Sequence, residues 1–243
     1  NVDPDTIGKL SDQYDQEVLG YLSGFNQASL SSVAGTANTT VSGTKAVSTA
    51  ASNELLASML VDANDFNGGT ASNSIVVVPR GHGQAVNSTT ATASPMSVIA
   101  RMSRKLDQQF VDKDSRWLVI DPVFAELLQD EDSRLMQGDW VTDSNQIKNG
   151  LIINNIHGFK VYQSNNLPSV GNGPTGATAT GSSHYGVICA GHSSAVATAE
   201  QINKTESYRD PDSFGDIVRG MHLYGRKILR PEALTRAFYV SKI

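Results

Sequence analysis

The chain has 243 residues, a length that fits one large domain or two modest ones and that can bury a core without disulfide or metal staples. Its formal net charge is −5 at pH 7, whereas nucleic-acid readers usually carry a basic balance, so sequence-specific DNA or RNA binding is not expected. The single cysteine, Cys189, excludes an intrachain disulfide framework. No stretch approaches the roughly 20 apolar residues of a membrane span. No signal peptide is visible, and the first residue is Asn1, so we expect a processed or truncated product.

The first predicted element is an amphipathic helix near the start of the chain. Asp3 is a favourable N-cap, Pro4 suits the first helical position, and Gly24 is a suitable stop. Apolar residues recur between them at steps of three and four, which indicates one buried face. These residues are Ile7, Leu10, Tyr14, Val18 and Tyr21.

Three stretches, 29–50, 67–74 and 84–94, are rich in Ser, Thr, Ala and Gly and contain few large apolar side chains. They cannot anchor a core by themselves, so they predict exposed loops or weak edge strands.

Two short elements are predicted among these stretches. Ser52–Asp65 predicts a short helix, and Ile75–Val78 is a β-branched run that predicts a strand. The residues expected to face inward from the short helix are Leu55, Met59 and Leu60.

The clearest packing signal begins at Ser94, an N-cap followed by Pro95. The buried face of this second helix is predicted to carry Ile99, Met102, Leu106 and Phe110. Trp117–Ile120 then predicts a buried strand, and the pair Asp121-Pro122 begins a third helix. Its inward residues are Phe124, Leu127 and Leu128. This alternation of helices and strands indicates a mixed α and β fold.

The remainder is predicted to be mainly strand. Gly150–Asn154 and Gly158–Tyr162 form an expected strand pair, and Tyr185–Ala190 a further strand. Ser169–Ser183 predicts a mobile surface loop, and Ser193–Gln201 a short helix. The last predicted element, Phe214–Arg230, consists of long irregular strands ended by Pro231.

The histidines and the cysteine do not form a convincing site. His184 and His192 flank Cys189 at distances of five and three residues, and these odd spacings in a strand place both rings on the face opposite the thiol or beyond its end. Cys189 is therefore expected to be a small buried hydrophobe, with no metal or Cys–His chemistry.

Two other patterns fall short of a binding motif. Gly81-His82-Gly83 begins like a dinucleotide fingerprint, but Val86 replaces the third glycine. Asp130-Glu131-Asp132 lacks the alternating ligand spacing of a calcium loop and predicts a solvated turn. We therefore predict no catalytic, cofactor-binding or metal-ligating residue.

Several segments between residues 95 and 240, taken in their order along the chain, resemble a known family. They are Arg116–Phe124, Asn149–Leu151, Ile156–Pro168, Ala190–Val196, Ala199–Gln201, Phe214–Asp216 and Leu223–Leu234. Their order resembles the major capsid proteins of tailed bacteriophages with the Hong Kong 97-type fold. The segment Tyr14–Leu19 is similar to the late part of that family's long spine helix.

The resemblance implies an α+β capsid fold in a structural protein that has no enzymatic activity and encloses double-stranded DNA. It implies spine-helix and peripheral-domain segments with a loop-rich insertion in 1–94, an axial domain in 95–215, and strands returning toward the peripheral domain in 216–243. Its implied partners are copies of the chain in pentamers and hexamers, scaffolding, portal or decoration proteins, and packaged DNA contacted non-specifically. It implies a virion protein that assembles in the host cytoplasm and contacts no membrane.

Two alternatives remain open at this stage. One is an encapsulin-type shell protein of the same fold that encloses cargo protein. The other is an α/β hydrolase that uses His192 and Ser193. If the chain is a capsid protein, four cations of the last segment are candidates to pair with the acidic first helix of a neighbouring copy. The alternative interpretation, a solvated strand edge, is equally favoured. These cations are Arg219, Arg226, Lys227 and Arg230.

Overall fold

A mixed sheet of nine strands organises the described part of the chain. The computed structural model describes residues 4–24, 55–62, 65–66, 75–78, 92–130, 155–170, 183–209 and 216–242. The helices are α1 (Pro4–Ser23), α2 (Pro95–Gln108) and α3 (Pro122–Gln129). The strands are β1 (Leu60–Val61), β2 (Ile75–Val77), β3 (Thr92–Ala93), β4 (Arg116–Ile120), β5 (Asn155–Ile156), β6 (Phe159–Gln163), β7 (Ser169–Val170), β8 (Ser183–His192), β9 (Val196–Arg209), β10 (Asp216–Ile228) and β11 (Leu234–Lys242).

The last strand of the chain lies in the middle of the main sheet, whose order is β3-β2-β11-β8-β4-β6-β5. β11 pairs antiparallel with β8 from Leu234 opposite Gly191 to Lys242 opposite Ser183. On its other side β11 runs parallel to the early strands β1 and β2. The sheet therefore joins the two ends of the sequence, and it takes strands from all three of the ranges 1–94, 95–215 and 216–243.

Helices α2 and α3 begin as the sequence predicts. Ser94 accepts a hydrogen bond from the Ser97 amide, and Asp121 accepts one from the Phe124 amide. Helix α1 also ends as predicted, at Gly24, which has a left-handed φ of +79°. The predicted inward residues Ile99, Met102, Leu106, Phe124 and Leu128 are buried, and Leu127 is partly buried against the same core.

Phe110 does not lie on the buried face of α2, so that prediction is wrong. The helix ends at Gln108, and the Phe110 and Val111 amides donate to the carbonyls of Asp107 and Leu106. These two bonds form a Schellman motif in which Phe110 occupies the left-handed position that usually holds glycine, with φ of +55°. Its side chain is 96% exposed.

The prediction of a helix over Ser52–Asp65 is also wrong for the described residues. A 3-10 turn spans Ala57–Met59, and β1 follows it directly. Lys105 explains part of this difference, because its ammonium donates to the Ser58 and Leu60 carbonyls, at 2.9 and 3.0 Å. The predicted burial of Leu55, Met59 and Leu60 is confirmed.

The prediction of a short helix over Ser193–Gln201 is wrong because the segment joins a long hairpin. After a 3-10 turn at Ser193–Ala195, β9 pairs antiparallel with β10 from Val196 opposite Ile228 to Arg209 opposite Asp216. The hairpin register shifts at Leu223 and Tyr224. Cross-strand pairing here overrides the local helical preference of alanine-rich sequence. The strand predicted within Phe214–Arg230 is confirmed as β10.

The strands Ile75–Val78, Trp117–Ile120, Gly158–Tyr162 and Tyr185–Ala190 are confirmed, within a residue or two, as β2, β4, β6 and β8. The loop expected over Ser169–Ser183 begins instead with β7, which pairs with β8. Its central part, 171–182, lies outside the described residues. So do the predictions for 29–50, 67–74, 84–91 and Gly150–Asn154. Among the helices described, none is long and apolar enough to cross a membrane.

A close approach between β8 and β11 makes Gly186 a sensitive position. A Cβ at Gly186 would lie 2.7 Å from Cε1 of the buried Tyr239 ring. We expect Gly186→Ala to lower the free energy of unfolding by about 1–3 kcal/mol through overpacking, measured by chemical denaturation of the unassembled protein. Gly225→Ala is the matched control, since a Cβ there meets nothing within 4 Å. Equal effects of the two substitutions would contradict this packing.

Candidate functional site

The cysteine and histidines singled out in the sequence are not assembled into a reactive site. Cys189 is fully buried, and burial raises the pKa of its thiol to about 12, so it stays protonated at neutral pH. His192 lies 2.8 Å through Nδ1 from the Ser194 hydroxyl and accepts from the Ser194 amide. It thereby caps the 3-10 turn, and its partner is Ser194 rather than the Ser193 of the hydrolase alternative.

The described residues contain no group of side chains that suits a metal ion, and the pattern that resembled a nucleotide site lies outside them. No group of three or more His, Cys, Asp and Glu side chains within the described ranges could hold a metal ion. The Gly81-His82-Gly83 pattern and the acidic residues Glu131 and Asp132 lie outside those ranges.

A buried polar cluster joins three elements of the core. Tyr239 of β11 donates its hydroxyl to the Asp121 carboxylate, 2.6 Å from both oxygens. His184 of β8 lies 2.8 Å from the same carboxylate through Nε2. Asp121 also caps α3, at 3.2 Å from the Phe124 amide. One carboxylate thus holds β8, β11 and the first turn of α3 together.

The cluster is closed to solvent and joins secondary-structure elements. Asp121, His184 and Tyr239 are 3%, 3% and 0% exposed. Burial, together with the Asp121 charge, raises the pKa of Tyr239 well above its ordinary value, which keeps the hydroxyl protonated and donating. The sequence identifies Asp121 only as a helix cap, because its contacts with His184 and Tyr239 depend on strand register.

A second buried polar group, Arg236 of β11, was not identified from the sequence. Its three guanidinium nitrogens have no hydrogen-bond partner among the residues that the structure describes, and its register neighbours are Cys189 and Leu60. Burial lowers its pKa to about 10, so it still carries its charge at neutral pH. An unpaired buried cation disfavours folding.

Helix α1 docks on β10 through a mixed polar and aromatic contact. The Glu17 carboxylate accepts from the Tyr224 hydroxyl and from Nη1 of Arg226, the latter at 3.0 Å. Arg226 stacks over the Tyr21 ring at 5.1 Å, and Tyr14 packs edge-on against Tyr224 at 4.6 Å. The hydrogen bond from Tyr224 and the charge of Arg226 lower the pKa of Glu17.

Three of the four cations considered for pairing with a neighbour's first helix have partners within their own chain. Arg226 does pair with the acidic first helix, but with the helix of its own chain. Arg219 pairs with Glu206 across the hairpin at 3.1 Å, and Arg230 pairs with Glu232 at 3.1 Å.

The opposite side of the hairpin is exposed and partly apolar. Alternate residues of a strand share one face, so the residues of β10 that alternate with Tyr224 and Arg226 point away from α1. Met221 and Leu223 on this side are 55% and 48% exposed, and Arg219 stacks over Tyr208 at 5.2 Å. We call this surface the outer hairpin face. Its described members are Tyr208, Glu206, Arg219, Met221, Leu223 and Lys227, and Arg219 is paired with Glu206 across the hairpin.

The buried cluster predicts a stability effect. Tyr239→Phe removes the hydroxyl that lies against both Asp121 oxygens and leaves the buried carboxylate short of a donor. The free energy of unfolding should fall by about 1–3 kcal/mol. Denaturant titration of the unassembled protein measures it, with Tyr162→Phe on an exposed ring as control. An unchanged midpoint for Tyr239→Phe would show that the cluster adds nothing to stability.

The helix contact predicts a local effect. Arg226→Ala removes both the Glu17 pair and the stacking on Tyr21. Amide hydrogen exchange in α1 should accelerate by roughly fivefold, equivalent to about 1 kcal/mol, while the main sheet is unaffected. Arg219→Ala, which removes an ion pair within the hairpin, should leave α1 protected. If α1 exchanged equally in both variants, Arg226 would not hold it.

Comparisons with solved structures show the fold of this chain in phage proteins. A structure from Mycobacterium phage Che8 is 22% identical with a TM-score of 0.57, and the match covers 95% of this chain and 60% of that one. The capsid structure of cyanophage P-SCSP1u is 14% identical with a TM-score of 0.53, covering 95% and 62%. The mature capsid of bacteriophage PhiM1 is 12% identical with a TM-score of 0.52, covering 100% and 65%.

The chain therefore spans less than two thirds of the length of each of these proteins. The α+β capsid fold implied by the resemblance is confirmed.

No curated protein sequence matches the chain. A family model described as phage capsid protein matches residues 10–237, nearly the whole sequence. The chain belongs to the phage capsid protein family.

Proposed function

We propose that this chain is the structural unit of the major capsid protein of a tailed phage, which assembles with copies of itself into an icosahedral shell around double-stranded DNA. The observation that carries the proposal is the family match over residues 10–237, on a chain that has the fold of two phage capsid structures. The chemistry of such a protein is contact between subunits.

The described surface suits this role. A closed shell needs patches that bind different patches on neighbouring copies, and each stable contact buries on the order of 1,600 Å² in total. The long hairpin of β9 and β10 offers an exposed apolar face on the side opposite α1. The net charge of −5 suits a container whose contact with packaged DNA is weak and independent of sequence.

In this proposal the subunit has two working parts. The proposed axial domain at the capsomer centre comprises residues 95–195 together with β11, and α1 with the hairpin of β9 and β10 forms the peripheral part, in place of the boundary at 215 and 216 that the resemblance implies. The boundary at residue 216 falls between β9 and β10, which pair along their whole length, so β9 belongs with the peripheral part. β11 returns to the main sheet beside β8 and belongs with the axial part.

The proposed protein has no catalytic role. Its buried titratable groups, Asp121, His184 and Tyr239, serve packing, and the Cys189 thiol is closed to solvent. Scaffolding, portal and decoration proteins are its proposed partners besides its own copies. Its proposed place is the virion, after assembly in the host cytoplasm.

Assembly tests the proposal directly. The full protein, purified and examined by sedimentation velocity, should populate closed particles of shell size in addition to free subunits and capsomers. A protein that remains a monomer or dimer under all assembly conditions would contradict the proposal. Nuclease-protected DNA inside particles from infected cells is expected, and particles that hold cargo protein instead would favour the encapsulin-type alternative.

A further inference from the structure

The turn between α2 and β4, residues 109–115, holds Phe110 in an unfavourable backbone conformation with its ring in solvent. Phe110 occupies the left-handed position of the Schellman motif, with φ of +55°, where any residue other than glycine is strained. Its ring is also 96% exposed. A single exposed apolar residue is common on protein surfaces. At Phe110, however, the backbone strain and the exposure of the ring both raise the free energy of the isolated subunit. This combination indicates a role for the ring outside the folding of its own chain.

The turn is held rigidly, as a binding element should be. The buried Arg116 guanidinium donates from Nε to the Asp112 carbonyl at 2.7 Å and from Nη2 to the Val111 carbonyl. The same Nη2 pairs with Asp107 at 2.7 Å. Val111 and Leu106 are buried beneath the turn. The ring is therefore displayed from a fixed backbone, which reduces the entropy lost on binding.

Two carboxylates follow Phe110 in the same turn. Asp112 and Asp114 are exposed, and within the described chain neither has a cation within 4 Å, since Lys113 and Arg116 both pair with Asp107. We call Phe110, Asp112 and Asp114 the acidic knob. Such a surface matches a patch that combines exposed apolar side chains with cations.

The outer hairpin face has this complementary character. Met221 and Leu223 supply exposed apolar surface, and Arg219 and Lys227 lie on the same side of β10, where Arg219 is 68% exposed and exchanges its exposed partner Glu206 for a neighbour's carboxylate on docking. The knob and the face are different surfaces of the subunit, so each copy can give its knob to one neighbour and its face to another, which is a heterologous contact. Heterologous contacts close into rings when the rotation between copies permits.

We propose that the acidic knob of one copy docks on the outer hairpin face of a second copy of this chain. The proposal rests on the proposed shell-forming function and names one of its contacts. Phe110 is the apolar anchor, and Asp112 and Asp114 fix its orientation against Arg219 and Lys227 of the neighbour.

Phe110→Gly tests the anchor, because the proposal predicts opposite effects on folding and assembly. The melting temperature of the unassembled subunit should rise by a few degrees, since glycine relieves the left-handed backbone. Assembly measured by sedimentation should weaken by roughly tenfold or more in subunit concentration. Gln109→Ser, an exposed polar change in the same turn, is the matched control and should assemble normally.

Charge reversal tests the docking partner. Asp112→Lys with Asp114→Lys should weaken assembly, as should Arg219→Glu with Lys227→Glu, while all four substitutions in one chain should restore it. Melting of each unassembled variant checks that it folds. If wild-type protein assembles and Phe110→Gly assembles equally well, or if the fourfold variant fails to recover, the knob contact is overturned. Failure of wild-type protein to assemble would count against the proposed function itself.

Discussion

The antiparallel ladder between β8 and β11 is the interaction on which the rest of the structure depends. It brings residues 234–242 against residues 183–192, and the far edge of β11 then receives β1 and β2 from the first third of the chain. The Asp121 carboxylate fastens both ladder strands to α3 through His184 and Tyr239. Because these strands are distant in sequence, the sheet is complete only when the last strand of the chain is in place.

The sequence predicts best where the signals are local. The caps Ser94 and Asp121 fix two helix starts, and the β-branched run at Ile75 fixes a short buried strand. The errors occur where tertiary pairing decides. Ser193–Gln201 contains good helix formers, but β10 pairs with it as a strand. Phe110 has helical spacing with Leu106, yet the helix has already ended, and its ring faces solvent.

For the candidate sites, too, the predictions succeed where the signal is local and fail where strand register decides. Opposite faces for His184 and Cys189 follow from strand alternation, because β8 holds both residues in one uninterrupted ladder with β11. The shared Asp121 carboxylate and the unpaired Arg236 depend on register, which no local pattern specifies. A cation of the last segment does meet the acidic first helix, but only the fold shows that Arg226 and Glu17 belong to one chain. The resemblance located the family because it used the order of many weak segments rather than one motif.

We infer that the exposed surfaces of this chain are shaped by contact with copies of itself. Cryo-electron microscopy of particles formed by the full protein tests that claim most directly. We expect a closed icosahedral shell in which each subunit contains the β8–β11 sheet and its own α1 packed on β10. A map of discrete low-mass particles, or of open aggregates without icosahedral symmetry, would contradict it.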